Sequence, residues 1–377
     1  MFGDLEGQGA DGQTPAAARG GAERPVSRVR LPLRLSGRLY GELARRRREW
    51  YRQHPEARRR LANPVISVGN LTVGGSGKTP VVEHLARLLL DLGERPAILS
   101  RGYRRRDPAD GVVTVREPDR IRTDLARAGD EPLMLARGLD GTAVLVSSSR
   151  YLAGRLAERR YGCTVHLLDD GFQHLPLHRD VDLLVARRAD LEQAQPLPAG
   201  RLREPLDAAR DADAVILFDE STMVARAVAT QLGVARGFSA VRLIEDARLF
   251  EPRGRQVAAT PLTRVLAVAG VAVPERFLED VRAAGWTVAG RLVFRDHHPY
   301  TRDDVETIMA SARQVRADLI LTTAKDAVRL APHRPCPVAV AWLSMTVAVN
   351  PPAAFRAWIV ERLAAARHPL DQFVVPA

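Results

Sequence analysis

The sequence has few cysteines, few aromatic residues and no long apolar run. Its two cysteines, Cys163 and Cys336, are far apart and show no metal-ligand spacing, which predicts a reduced protein without a disulfide framework. No apolar stretch approaches the roughly 18 residues of a membrane-spanning helix. Residues 1–27 are mostly Gly, Ala and polar residues and lack a signal-peptide pattern, so we expect a disordered tail there.

Positive charge is concentrated in one segment. The chain has a formal net charge of +11, and residues 24–60 hold thirteen arginines against three glutamates. The rest of the chain is therefore close to neutral. A segment with this charge favours an anionic partner, which can be a membrane surface or a nucleic acid.

Residues 28–60 predict a basic amphipathic helix within this segment. Leu35, Leu39, Leu43 and Trp50 recur at spacings of four, four and seven residues and therefore share one helical face. Such a helix is typical of a membrane-surface element, whose arginines are attracted to anionic lipid while its apolar face enters the headgroup region. Two alternatives stay open: the helix covers its own domain, or the arm binds nucleic acid.

A strand, a glycine-rich loop and a helix follow one another over residues 64–92. Gly77-Lys78-Thr79 opens the predicted helix, in the order typical of a phosphate-binding loop. Backbone N–H groups and the helix N-terminus would surround a phosphate. Lys78 would contact the β- and γ-phosphates of ATP, and the Thr79 hydroxyl would bind Mg²⁺. The candidate ATP-binding residues are Thr72, Val73, Gly74, Gly75, Ser76, Gly77, Lys78 and Thr79.

The remaining pattern predicts two α/β domains. From residue 61, short apolar runs alternate with helical stretches, as in a doubly wound parallel sheet of the phosphate-loop NTPase type. We assign residues 61–237 to an ATP-binding catalytic domain. Residues 264–377 form a second, smaller α/β domain, whose last helix we expect to pack back on the first. Residues 238–263 predict a β-ribbon linker between them, and a cleft between two such domains suits phosphoryl transfer.

Three acidic residues are candidates for metal binding and proton transfer. Asp169 and Asp170 end an apolar strand, where a phosphate-loop enzyme holds Mg²⁺ directly or through water. A metal would supply the counter-charge that adjacent carboxylates need, although a plain strand-end turn uses the same residues. Asp130 precedes a predicted helix. It either caps that helix or accepts the proton of an alcohol during phosphoryl transfer.

Two further motifs lie in the second predicted domain. His297 belongs to an Asp-His-His-Pro-Tyr run and suits proton handling better than zinc binding, since no Cys or further His stands at suitable spacing. Residues 322–326, Thr-Thr-Ala-Lys-Asp, predict a strand-end loop that turns into a helix. They lack the Asn-Lys-x-Asp arrangement of guanine-specific GTPases, which favours adenine.

These motifs together resemble those of the tetraacyldisaccharide 4'-kinase family of Gram-negative bacteria. In chain order they are VGNLTVGGSGKTP from residue 68, LSRGY from 99, GDEP from 129, LDDGFQH from 168, LPAGRLREP from 197, FRDHHPY from 294 and TTAKDA from 322. Thr72, which is unusual in a general phosphate loop, matches that family's form. One departure lies at residues 269–274, AGVAVP, where the family more often has Gly-Ile-Gly-Asn-Pro; it affects local contacts of the second domain.

The resemblance implies a function and a set of roles. ATP would phosphorylate the 4'-hydroxyl of a tetraacyldisaccharide 1-phosphate to give lipid IVA. The enzyme would be peripheral, on the cytoplasmic face of the inner membrane, with the basic helix on anionic lipid. Lys78, Asp130 as base and His297 as its support would be catalytic, and Glu204 would join Thr79, Asp169 and Asp170 around Mg²⁺. The sequence gives no sign of an obligate protein partner.

Two other classes of protein compete with this interpretation. One is a nucleic-acid-associated phosphate-loop NTPase with a basic arm, and the other is a regulatory nucleotide-binding module. The acids and histidine described above favour an enzyme, and the resemblance implies no nucleic-acid partner.

Overall fold

The structure is a computed structural model that describes residues 30–103, 105, 111–192, 195–250, 256–258, 260, 263–333, 336 and 338–367. The expected tail, 1–27, lies outside these residues. Fifteen strands are described: β1 Val65–Gly69, β2 Pro96–Ser100, β3 Val113–Arg116, β4 Ala143–Val146, β5 Val165–Asp169, β6 Val181–Arg187, β7 Ala214–Phe218, β8 Arg236–Ile244, β9 Ala247–Leu249, β10 Gln256–Val257, β11 Arg264–Ala269, β12 Thr287–Val293, β13 Leu319–Thr323, β14 Val340–Leu343 and β15 Met345–Asn350.

Eleven α-helices are described in the same part of the chain. They are α1 Arg30–Gln53, α2 Lys78–Asp91, α3 Leu125–Ala128, α4 Asp130–Gly138, α5 Arg150–Tyr161, α6 Arg188–Glu192, α7 Thr222–Gln231, α8 Pro274–Ala283, α9 Arg302–Gln314, α10 Ala324–Leu330 and α11 Pro352–Arg367. Short 3₁₀ turns occur at Pro55–Ala57, Leu206–Asp211 and Ala331–His333.

The first sheet has nine strands in the order β15–β8–β7–β6–β1–β5–β2–β4–β3. Its inner pairs are parallel, and only the two edge strands, β15 and β3, run antiparallel to their neighbours. Strands β1, β2, β4, β5 and β7 are buried along their whole length, which explains their continuous apolar sequences. Since β1 lies between β5 and β6, the loops after β1 and β5 meet at one edge.

The second sheet is smaller and has the order β10–β9–β14–β13–β11–β12. Strands β14, β13, β11 and β12 are parallel, whereas β9 and β10 are antiparallel additions. Helix α8 covers one face through Phe277, Leu278 and Val281. Helix α9 covers the other through Ile308 and Met309. This arrangement places the loops after β11 and β13 side by side.

The chain passes between the two sheets twice. Strand β8 of the first sheet is followed by β9 of the second, and β14 of the second sheet by β15 of the first. The two crossings lie together because Glu245 N donates to the Ser344 carbonyl at 2.9 Å and Ser344 Oγ donates to the Glu245 carboxylate at 2.9 Å. After the second crossing, α11 packs on the first sheet, where Phe355 and Trp358 contact Phe238.

This double crossing corrects part of the expected linker. The sequence predicts a β-ribbon linker over residues 238–263, with residues 238–249 and 255–258 as its extended stretches. In the structure Phe238 belongs to β8, which pairs with β7 and β15, and only β9 pairs with Gln256–Val257. The partner of β8 lies far along the chain, so the local pattern could not identify it.

Helix α1 has one face on the protein and one face exposed. Gly37 and Gly41 allow it to lie close to the loop after α6, since a Cβ at Gly37 would come within 2.9 Å of the Ala199 Cβ. The predicted stripe points outward, with Leu35 58%, Leu39 63%, Leu43 58% and Trp50 48% exposed. The stripe therefore does not cover its own domain. In the described residues no helix combines the length and apolarity needed to cross a membrane.

Candidate functional site

The phosphate loop joins β1 to α2 and is fixed by its own side chains. Asn70 Nδ2 donates to the Thr72 carbonyl at 2.7 Å, and Lys78 Nζ donates to Asn70 Oδ1 at 2.9 Å. Gly77 has φ 90° and an added Cβ would lie 2.7 Å from the Phe218 ring, so only glycine fits there. Ser76 Oγ is buried without a hydrogen-bond partner among the described residues. The loop thus offers an unused donor beside the N-terminus of α2.

Thr72 has a structural explanation. It is 4% exposed and forms an isolated bridge with Leu202, while Val73 N donates to the Arg201 carbonyl at 2.8 Å. Residues 201 and 202, which are distant in the sequence, therefore fix the start of the phosphate loop by backbone contacts. Asn70 Nδ2 also donates to the Thr72 hydroxyl at 3.2 Å, a contact that glycine, the residue of the general pattern at this position, could not make.

Asp169 is the last residue of β5 and Asp170 follows it, beside the phosphate loop. Asp170 has φ 57°, an uncommon conformation for a residue with a side chain, and its carboxylate accepts from Arg203 Nη1 at 2.7 and 2.9 Å. Its Oδ1 is also 3.4 Å from Lys78 Nζ. Asp170 is therefore neutralised by two cations.

Asp169 is in a different electrostatic state. Burial raises the pKa of Asp169 to about 7, and the charges of Glu131 and Asp170 act in the same direction. Burial also favours a higher pKa for Asp170, but the charges of Lys78 and Arg203 outweigh it and hold that pKa below its usual value. The charges of Lys78 and Arg150 act against the increase at Asp169 but do not outweigh it, so Asp169 is the less compensated of the two neighbouring acids.

Asp130 and His297 are brought together from the two sheet units. Asp130 is the first residue of α4, and His297 lies in the loop after β12 with φ 58°. His297 Nδ1 donates to Asp130 Oδ2 at 2.7 Å. Burial raises the pKa of Asp130, but this hydrogen bond and the charges of Lys325 and Arg329 outweigh it and lower the pKa to about 2. Asp130 is thus a stably ionised carboxylate.

Glu204 is not among the described residues that line the cleft. Both of its carboxylate oxygens accept from Arg48 of α1, at 2.6 and 3.0 Å, and Glu204 is 4% exposed. The same guanidinium donates to the Phe172 carbonyl at 3.1 Å and lies over the Phe172 ring. Glu204 therefore anchors α1, and the metal-binding role that the resemblance implies for it stays a prediction.

Several cleft residues were missed by sequence reasoning. Arg203 pairs with Asp170, and Lys325 pairs with Glu131 at 2.7 Å. Arg150 is 5% exposed, and burial together with the charge of Arg101 lowers its pKa to about 10. Lys325, Arg203 and Glu131 had a signal, since each lies within a motif that carries the family resemblance. Arg150 lies outside these motifs, at the start of a helix where a single arginine is unremarkable.

One cleft of about 2230 Å³ connects these groups. It is lined from the first sheet by the phosphate loop, Asp169 and Asp170, and from the second by His297 and Lys325. Among the described residues, no three His, Cys, Asp or Glu side chains form a ready metal cluster. The donors available to a cation are the Thr79 hydroxyl and the Asp169 and Asp170 carboxylates, oxygen ligands of the kind Mg²⁺ prefers.

Comparison with known proteins identifies the family. Residues 29–364 match the family model described as LpxK, tetraacyldisaccharide-1-P 4'-kinase. The chain belongs to the tetraacyldisaccharide 4'-kinase family. The resemblance drawn from the motifs is thereby confirmed.

Relatives named tetraacyldisaccharide 4'-kinase cover most of the chain. The protein of Geobacter metallireducens is 41% identical over 73% of this chain and 80% of its own length. That of Nitrobacter hamburgensis is 38% identical over 91% of this chain and 96% of its own. The structure of LpxK from Aquifex aeolicus in complex with ATP has a TM-score of 0.72 and 31% identity, covering 89% of this chain and 99% of that one. The tetraacyldisaccharide 4'-kinase fold confirms the predicted α/β class.

Proposed function

We propose that this chain transfers the γ-phosphate of ATP to the 4'-hydroxyl of a tetraacyldisaccharide 1-phosphate, giving lipid IVA and ADP. The observation that carries the proposal is a single cleft lined on one side by the phosphate loop and on the other by His297, which is bonded to Asp130. Membership of the family supports the same acceptor. The exposed leucine stripe on α1 argues against the alternative in which this helix only covers its own domain.

The phosphate side of the cleft uses Lys78, Thr79 and Asp169. Lys78 would leave Asn70 and Asp170 for the β- and γ-phosphates, and the Ser76 hydroxyl and α2 N-terminus would donate to phosphate oxygens. Mg²⁺, when bound, supplies positive charge between phosphate oxygens. Thr79 and Asp169 fit as its ligands because both line the cleft and the charge of Asp169 is only partly compensated by Lys78 and Arg150. Asp170 fits less directly, since Arg203 already occupies both of its oxygens.

Asp130 would accept the proton of the 4'-hydroxyl. With a pKa of about 2 it is ionised at neutral pH and can always accept a hydrogen bond from the alcohol. It is also a weak base, so it takes the proton only after bonding to phosphorus has made the hydroxyl acidic, as suits a loose transition state. The hydroxyl oxygen then bonds to the γ-phosphorus, the bond to the ADP oxygen breaks, and His297 keeps the carboxylate oriented.

The exposed face of α1 would hold the enzyme on the cytoplasmic leaflet of the inner membrane. The leucine stripe provides apolar insertion, and the surrounding arginines provide attraction to anionic lipid. Tyr40 and Arg47 of the same helix line the cleft. The sugar headgroup could therefore reach the cleft while the acyl chains stay in the bilayer. We propose neither a nucleic acid nor an obligate protein partner.

The test is transfer of ³²P from γ-labelled ATP to disaccharide 1-phosphate in mixed micelles, followed by thin-layer chromatography. We expect label in the lipid, dependent on Mg²⁺ and abolished by a chelator. Asp169→Asn should raise the Mg²⁺ concentration needed for half-maximal rate. ATP hydrolysis stimulated by DNA or RNA without lipid labelling would instead establish the nucleic-acid-associated NTPase.

A further inference from the structure

The motif at residues 322–326 leads into a buried arginine beside Asp130. Helix α10 begins directly after β13, and Arg329 lies in its last turn with a side chain only 5% exposed. Its guanidinium faces Asp130 from the second sheet unit, with Nε 3.6 Å from Asp130 Oδ2. Neither the phosphate chemistry nor the proton transfer described above gives this arginine a task.

The guanidinium also binds the loop that carries His297. Arg329 Nη1 donates to the Gly270 carbonyl at 3.2 Å and to the His298 carbonyl at 3.3 Å, and Nη2 donates to Gly270 as well at 3.2 Å. The same Gly270 carbonyl accepts from His297 N at 3.2 Å. Arg329 thus fixes the carbonyl of His298 directly. It fixes the backbone N–H of His297 through the Gly270 carbonyl. His297 has a positive φ and needs such support from its surroundings.

Asp326 fixes the arginine in turn. It is fully buried, and its Oδ1 accepts from the Tyr300 hydroxyl at 2.9 Å and lies 3.3 Å from Arg329 Nη2. Its Oδ2 accepts from Gly270 N at 3.0 Å and from the Thr323 hydroxyl at 2.6 Å. Every oxygen of Asp326 is therefore occupied, so the Arg329 side chain has one defined place between two carboxylates.

We propose that Arg329 is a positioning residue that holds Asp130 and His297 in register across the cleft. It orients the carboxylate by charge and the histidine through the carbonyls of Gly270 and His298. The expected effect of Arg329 on the reaction rate rests on the proposed function. Its effect on the orientation of Asp130 and His297 does not. The neighbouring Lys325–Glu131 ion pair makes a separate contact between α10 and α4, so loss of Arg329 should misalign the pair without parting the two helices.

Steady-state kinetics test the effect on rate. Arg329→Met should lower kcat by roughly 10- to 100-fold, the scale of a small misplacement of reacting groups, with KM for ATP and lipid changed by less than about 2-fold. Arg329→Lys keeps the charge, yet one ammonium cannot serve both carbonyls and Asp326, so kcat should fall here too. Arg313→Met, an exposed arginine on α9, is the matched control and should behave as wild type. Normal kcat in both Arg329 variants would overturn the proposal.

A double mutant separates positioning from a general structural role. If Arg329 acts through His297, the losses of Arg329→Met and His297→Gln should not add, whereas independent roles would give additive losses. Additivity, or loss of ATP binding in Arg329→Lys, would contradict the proposal.

Nuclear magnetic resonance of ¹⁵N-histidine-labelled protein tests the geometry without relying on activity. We expect a hydrogen-bonded Nδ1–H signal, assigned by its loss in His297→Gln, that disappears in Asp130→Asn and Arg329→Lys and persists in Arg313→Met. An unchanged signal in Arg329→Lys would overturn the proposal even if the wild-type protein phosphorylated no lipid. If the signal disappears in Arg329→Lys but the wild-type protein phosphorylates no lipid, only the proposed function is refuted.

Discussion

The chain has only two lysines among its 56 basic residues, and both line the cleft. Lys78 bonds to the phosphate loop and faces Asp170, while Lys325 pairs with Glu131 from the opposite side. An ammonium is a compact point charge on a flexible stem, whereas a guanidinium is a rigid planar group. The flexible stem suits Lys78, which in the proposed function leaves Asn70 and Asp170 to meet the phosphates.

Lys78→Ala should lower kcat by roughly 10²-fold or more, because a preorganised cation at the developing phosphate charge is lost. The measurement is the micellar transfer assay, with thermal unfolding to show that the protein remains folded. The rate of a Lys78→Arg variant should also fall, since the planar group does not fit the place of the ammonium. Turnover close to wild type in Lys78→Ala would remove this residue from the phosphate site.

Asp130→Asn should abolish most turnover while ATP affinity survives, because the amide is nearly isosteric but cannot accept the proton. Rapid-mix transfer assays and equilibrium ATP binding measure the two quantities. Near-normal turnover would exclude Asp130 as the base. Loss of ATP binding would instead assign it a structural role.

The depressed pKa of Asp130 also sets the direction of a pH effect. A carboxyl whose pKa is lower in the folded state contributes stability that is fully present above its unfolded pKa of about 4. That contribution is lost as pH falls towards the folded value of about 2. The stability difference between wild type and Asp130→Asn should therefore shrink over this acidic range, as measured by urea unfolding.

At the scale of elements, helix α1 has an inner face that packs on the protein and an exposed outer face that would contact the membrane. Its inner face is anchored by Arg48, whose removal would leave Glu204 buried and unpaired, a costly state. Deletion of the whole helix would therefore disturb the protein as well as any membrane contact. Substitutions confined to the outer face test membrane binding alone.

The triple variant Leu35→Ser, Leu39→Ser, Leu43→Ser should reduce sedimentation with anionic vesicles, most clearly at high salt, where arginine attraction is screened beyond about 3 to 10 Å. KM for lipid should rise while ATP binding stays unchanged. Met223→Ser, which removes an apolar side chain 78% exposed on α7, is the matched control. Vesicle binding equal to wild type in the triple variant would show that another surface contacts the membrane.

The sequence predicted the strands that are buried on both faces. It did not predict the half-exposed strands or the contacts between segments that are distant in the chain. Apart from β8, the inner strands of the first sheet lie where continuous apolar runs mark them in the sequence. Strand β12 has only half-buried and exposed positions, so its sequence carries no such run. In the site, the loop, Asp130, Asp169, Asp170 and His297 were found from motifs. The Arg48–Glu204 and Arg329–Asp130 contacts join distant segments and leave no local pattern.

At the scale of the whole molecule, the C-terminal helix stabilises the sheet that carries the phosphate loop. Phe355 of α11 is 1% exposed and packs against Phe238 and Trp358 in the main core. Phe355→Ala should reduce the free energy of unfolding by about 3–5 kcal/mol. Val360→Ala, on the outer side of the same helix and 44% exposed, should change it by less than about 0.5 kcal/mol. Equal effects in denaturant unfolding would show that α11 is not part of this core.

Because the chain leaves the first sheet and returns to it after the second sheet, the first sheet cannot be completed until late in synthesis. Strand β8 leaves the ribosome well before its edge partner β15 and the covering helix α11 exist, because the second unit is made in between. During that interval the larger sheet presents an open edge and an uncovered apolar face to other nascent chains. Chaperones that bind hydrophobic segments should therefore associate most strongly with chains stalled between residues 250 and 344, and products that end there should aggregate.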